Sequence, residues 1–173
     1  MTWTAPQVQR AEPDQPALER SALQSWLNYH RATLLFKCQG LTGEQLVQRT
    51  AEPSSLSLLG LVRHMADVER AWFRRRLGRQ PDLPGLYWSD EDPDGDFDLV
   101  DAAGAEADFA AFKAECALAD EAAAGRSLDE TFVTRDGGTL DLRWIYLHMI
   151  EEYARHNGHA DILRERLDGV TGD

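Results

Sequence analysis

Residues 141–167 read as one long amphipathic helix whose inward stripe turns polar in its middle. Taken at every third or fourth position, the stripe runs Ile145, Met149, Glu152, His156, His159 and Leu163. That is the spacing of a helix face turned toward a core. At about 100° of rotation per residue, Glu152 and His156 differ by roughly 40° and Glu152 and His159 by roughly 20°. All three therefore face one point. His148 stands one turn earlier, about 40° to the other side of Glu152, at the margin of the stripe. Burying an unpaired carboxylate costs on the order of several kcal/mol. A chain with this stripe must surround it with other helices, and must offset that charge with a metal ion or a buried hydrogen-bond network.

The rest of the chain supplies those helices. Leu18, Ala22, Leu23, Trp26, Leu27, His30, Leu34 and Cys38 recur at helical spacing, which predicts a first helix near 15–38. Asp14 is its expected cap, Pro16 sits in its first turn, and Gly40 is its stop. Thr42-Gly-Glu-Gln45 has capping-box order and predicts a short helical turn near 42–48. Serines after Pro53 cap a helix near 56–77, with Leu58, Leu61, Met65, Val68 and Trp72 on its apolar face and Gly78 past its end. A helix near 102–124 carries Phe109, Phe112, Cys116 and Ala119 inward and ends at Gly125. Asp136-Gly137-Gly138 signals a tight turn, with a small hairpin between Phe132 and Leu140. The expected fold is an all-α four-helix bundle with a long loop between helices 2 and 3. Residues 1–14 read as a flexible arm and 15–168 as a single domain. Trp26, Trp72 and Trp144 are expected in the core with the phenylalanines.

Charge and composition narrow the function. Over 173 residues the formal net charge is −12, so no basic stripe exists to release counterions from a nucleic acid or to bind an anionic membrane. The run Arg74-Arg75-Arg76 reads as a complement to a helix dipole and to solvent. No apolar run approaches a membrane span, and the first ten residues lack a signal-peptide hydrophobic region. Two cysteines, Cys38 and Cys116, make a disulfide framework unsuitable. A cytoplasmic protein is expected. The acidic loop Asp90-x-Asp92-x-Asp94-Gly95-x-Phe97, closing at Asp101, has EF-hand spacing. Pro93 is awkward there and Asp replaces the usual Glu, so it reads as a solvated loop placed to cover one end of the bundle.

A carboxylate and a histidine four apart form a two-point clip for a metal. His64, mid-helix beside Met65 and Leu61, is the best third donor. Two histidines and one carboxylate leave a coordination position open, the catalytic rather than the structural pattern, and suit Zn²⁺, Ni²⁺ or Fe²⁺. His30, on the inner face of the first helix, reads as a core histidine rather than a ligand.

Two stretches carry a resemblance. Leu58-Leu-Gly-Leu-Val-Arg-His-Met-Ala-Asp-Val-Glu-Arg-Ala-Trp-Phe73 and Glu152-Tyr-Ala-Arg-His-Asn-Gly-His-Ala-Asp-Ile-Leu-Arg-Glu165 resemble the DinB-like superfamily, most closely its actinobacterial branch of unknown function. The likeness spans about Arg20 to Leu167. It implies a four-helix bundle, often a homodimer, with a divalent metal between helices. One ligand is a histidine of the second helix, matching His64; two come from the last helix, typically as His-x-x-x-His. Here that pair is Glu152-x-x-x-His156, and the position four after His156 is Ala160. This is similar to relatives that isomerise maleylpyruvate with mycothiol. The resemblance thus implies His64, Glu152 and His156 as ligands. His159 is then an alternative ligand or a partner of one, with His148 a further alternative. His159 or Asp161 would orient a ligand or move a proton.

The expected function is a metal-dependent enzyme, zinc or nickel in its site, that activates a low-molecular-weight thiol such as mycothiol for S-transfer or isomerisation of a small-molecule substrate. Two alternatives stay open: a metal-dependent hydrolase, and a non-enzymatic, stress-responsive helical bundle.

Overall fold

The computed structural model describes residues 2–134 and 137–172. It is predominantly helical. The elements are α1 (Glu19–Cys38), α2 (Gly43–Leu46), α3 (Leu58–Glu69), α4 (Gly95–Asp98), α5 (Ala105–Ala123), a hairpin of β1 (Thr131–Val133) and β2 (Thr139–Asp141), and α6 (Leu142–Asp168). A π-helical segment, Arg70–Leu77, prolongs α3 without a break, and a 3₁₀ turn, Ala102–Gly104, leads into α5. The four long helical segments pack as α1 on α6 and α3 on α5, with α3 also meeting α6 and α1. Leu27, Leu34, Met65, Phe112, Tyr146, Met149 and Tyr153 are buried between them.

The local signals explain most boundaries. Ser57 Oγ accepts from Gly60 N at the start of α3, and Asp141 Oδ1 accepts from Trp144 N at 2.7 Å at the start of α6. Thr42 and Gln45 form a reciprocal capping box around α2. Gly40, Gly125 and Gly169 take positive φ where α1, α5 and α6 end, a backbone region open to glycine at little cost. In the hairpin, Phe132 pairs with Leu140; of its expected turn, Asp136 lies outside the described residues.

Three expectations are corrected. The first helix begins at Glu19 rather than near residue 15, and its N-cap Leu18 makes no side-chain cap bond. Proline disfavours the α conformation in the residue before it, so Gln15-Pro16 resists incorporation into the first turn. Asp14 instead donates its backbone N–H to Ser25 Oγ. The helix near 56–77 is not α throughout: Gly78 N bonds to Phe73 O, five residues back, and the wider turn begins at Arg70. Trp26 and Trp144 are 41% and 37% exposed, because each lays one ring face or edge on a histidine rather than entering the core.

Residues 2–14 pack on this body. Ala5 is buried, bonded through its backbone to Leu41 O and Gly40 N, and Trp3 lies edge-on to Phe109 at 5.3 Å. Among the described residues, no helix is long and apolar enough to cross a membrane.

Candidate metal centre

Three elements build the centre. The contact of α3 with α6 sets His64 against the middle of the polar stripe, with ring centroids of His64 and His156 4.8 Å apart. The loop helix α4 closes over them. It approaches because position 60 of α3 has no side chain: a Cβ on Gly60 would stand 2.9 Å from the Phe97 ring. Phe97 then stacks on His64 at 5.1 Å, and Asp96 turns inward, 5% exposed. Arg63 fixes the same loop by donating to the backbone oxygens of Asp96 and Gly95.

One ligand-type atom each from His64, Glu152 and His156 lies within 4.8 Å of the other two. Glu152 Oε2 is 3.5 Å from His156 Nε2, and Glu152 Oε1 is 3.7 Å from His148 Nε2. The Glu152 side chain is 16% exposed, yet among the described residues no group donates a hydrogen bond to its carboxylate. Arg155 Nη1 stands 3.6 Å away but is itself drawn to Glu151. A tetrahedral ion with bonds of about 2.1 Å sets its donors about 3.4 Å apart. The Glu152–His156 separation of 3.5 Å is close to that value, and the three donors together could hold a metal ion.

The environment sets protonation. His64 Nδ1 lies 2.7 Å from Asp96 Oδ2. A proton on Nδ1 is held there, leaving the Nε2 lone pair for a ligand. Burial lowers the His156 pKa to about 4, aided by His64, His159 and Arg155, so its imidazole is neutral at neutral pH. His148 is also lowered by burial, against the pull of Glu152. It stacks on Trp144 at 4.7 Å and meets Trp72 at 4.6 Å. With Glu151 and Glu152 it forms a second group of possible ligands.

The remaining candidates lie elsewhere. His159 Nδ1 reaches His156 Nδ1 at 3.4 Å and stands outside the three-donor group. Asp161 pairs with the buried Lys37 at 2.6 Å, a partner on α1. His30 meets Asn157, whose side-chain N–H₂ donates to the His30 carbonyl at 3.1 Å.

A cavity of about 690 Å³ adjoins the centre, with His64 and Asp96 in one wall and Trp72, Trp88, Arg75, Arg76 and Arg79 in others. Among the described residues, His64 is the only member of the three-donor group in that lining.

A family model described as mycothiol S-transferase matches residues 22–169. The chain belongs to the mycothiol S-transferase family. The match covers α1 from residue 22 onward, the whole length of α6 and everything between them, so all three clustered donors lie inside the family region. No curated protein and no solved structure matches the chain.

Two features of the centre were not read from the sequence. Asp96 is one of several acidic residues in a run, and nothing local distinguishes the one that turns inward. A second buried polar layer also escaped: Arg31 forms a two-point pair with Glu69, both N–O distances 2.7 Å, and Tyr153 donates to Glu69 at 2.8 Å.

Proposed function

We propose that this chain is a metal-dependent S-transferase of mycothiol, built on a four-helix bundle, with His64, Glu152 and His156 as the ligands of zinc or nickel. The observation that carries the reading is the Glu152 carboxylate, largely enclosed, set between two imidazoles at ion-bridging distance and, among the described residues, without a hydrogen-bond donor. Family membership supplies the thiol. The metal, when bound, favours the thiolate form of that thiol, which is the nucleophile.

The chain's own groups do the rest. Asp96 holds the His64 ring and its tautomer. Burial keeps His156 unprotonated, so no proton competes for its lone pair near pH 7. His148, Trp72 and Trp144 wall one side with stacked rings. Neither cysteine of the chain supplies a thiolate: burial pushes Cys38 up to about 12, and burial with the Glu69 charge pushes Cys116 well up. The reacting sulfur therefore comes from a free thiol. Both cysteines are unpaired, which suits a reducing, cytoplasmic setting. The same open position supports isomerisation through a transient thiol adduct, and hydrolysis is the second reading because a water competes for it.

Cobalt-loaded protein titrated with mycothiol tests the proposal. A sulfur-to-metal charge-transfer band should appear with mycothiol and be absent in His64→Ala. A protein purified without chelators that holds no transition metal and shows no band overturns the proposal. Hydrolysis of an ester by the metal-loaded protein, with no band from any thiol, moves the site to the hydrolase reading.

A further inference from the structure

The cavity beside His64 gathers arginines in an otherwise acidic protein. The chain as a whole is at −12, yet Arg75, Arg76 and Arg79 line this one space. Their neighbours on the same helical segment behave differently. Arg70 and Arg74 both close on Glu115, at 2.6 Å and 2.9 Å. Among the described residues, neither Arg75 nor Arg79 has a carboxylate partner. Arg75 lies 5.5 Å from the Trp88 ring centroid, and Arg76 covers Trp72 at 4.0 Å.

The acids of the cavity wall are turned to other partners. Asp67 accepts the backbone N–H groups of Leu86 and Tyr87 at 2.6 Å and 2.9 Å. Asp96 is engaged by His64. Arg79 also stands at φ 55°, the left-handed region that a non-glycine residue adopts at some cost. That conformation, next to Gly78, ends the π-helical segment and sets the arginine at the cavity.

Trp72, Trp88, Val68 and Ala71 give the same space an apolar body. An arginine pair with no carboxylate partner among the described residues, beside indole faces, matches a flat conjugated acid: a carboxylate for the guanidinium forks and a ring for the tryptophans. Mycothiol, a cysteinylated amino sugar joined to inositol, has no carboxylate. We infer that this cavity binds the second substrate, a small aromatic or conjugated electrophile bearing a carboxylate, with Arg75 and Arg79 holding the carboxylate and Trp72 and Trp88 the ring. The assignment rests on the transferase reading for its chemistry, but its binding step needs neither thiol nor metal.

The test is titration of the full chain with 4-nitrobenzoate and with its neutral match, 4-nitrobenzamide. Binding is followed by calorimetry and by quenching of tryptophan fluorescence, before and after chelator treatment. The benzoate should bind at least about tenfold more tightly than the amide, the value of roughly one charge-assisted hydrogen bond at a half-exposed site. Arg75→Gln and Arg79→Gln should each lose about that factor for the benzoate alone, with circular dichroism unchanged. Chelation should leave the preference in place. Equal binding of acid and amide overturns the assignment. So does a preference that vanishes on chelation and ignores both arginine variants, since the carboxylate is then a metal ligand. Inorganic phosphate displacing the benzoate at equal concentration also overturns it, by reducing the site to unselective anion attraction. A positive result here with no cobalt–thiol band sinks the transferase reading and leaves the acid-binding cavity; the converse pair of results does the reverse.

Discussion

Asp96 Oδ2 and His64 Nδ1, 32 residues apart in sequence, meet at 2.7 Å under the Phe97 ring. A loop residue thereby sets the orientation of a helix residue. Carboxylates that hold a ligating histidine in this way change metal affinity by about 10- to 100-fold when removed. Asp96→Asn should weaken zinc binding by that factor while leaving helix content intact. Competition against a chromophoric chelator measures it. An unchanged affinity would show that the contact only closes the loop.

The three clustered donors should act together. His156→Ala and Glu152→Ala should each abolish stoichiometric metal, read by elemental analysis of chelator-free preparations. His30→Ala should keep full metal, because that side chain meets Asn157 on the far side of α6. His159→Ala should also keep it, since its ring reaches only His156. Full metal in His156→Ala would move the ligand to His148, which stands 3.7 Å from Glu152.

The lowered pKa of His156 makes stability depend on pH in a stated direction. Its folded-state value is about 4 against an ordinary 6.5, so as pH falls the unfolded chain takes up the proton first. The stability this group confers is complete above about pH 6.5 and is lost progressively toward about pH 4. The urea midpoint of metal-free protein should therefore fall more from about pH 7 to about pH 5 than that of His156→Gln. Parallel curves for the two proteins would contradict it.

The Arg31–Glu69 pair, with Glu69 fully buried and Arg31 nearly so, spans α1 and α3, and Tyr153 joins it from α6. Burial and the charge of Glu69 push the Tyr153 pKa well up, so its hydroxyl remains a donor. Removing one member of a buried pair strands the other at a cost of about 3–5 kcal/mol. Glu69→Ala should lower the chemical-denaturation free energy by that amount, while Arg31→Met with Glu69→Leu together should cost less than the single change.

The sequence by itself determined the helices and the direction of their faces. The caps at Thr42 and Ser57 and the stops at Gly40 and Gly125 are local bonds and local φ angles, so they are legible residue by residue. The polar stripe of α6 was legible for the same reason: Glu152 and His156 share a face by helical geometry alone, and His64 was picked out by its place mid-helix beside Met65 and Leu61. The π turn after Glu69 was not legible, because Arg70–Leu77 has no proline or glycine to announce it. Nor could the sequence choose Asp96 from an acidic run, separate Arg75 and Arg79 from Arg74, or pair Arg31 with Glu69. Those choices depend on which groups meet across 32 to 41 residues of chain. Only the packing of α3 against α5 and α6, and of the loop helix onto Gly60, decides where a charge finds its partner and where it is left facing a cavity.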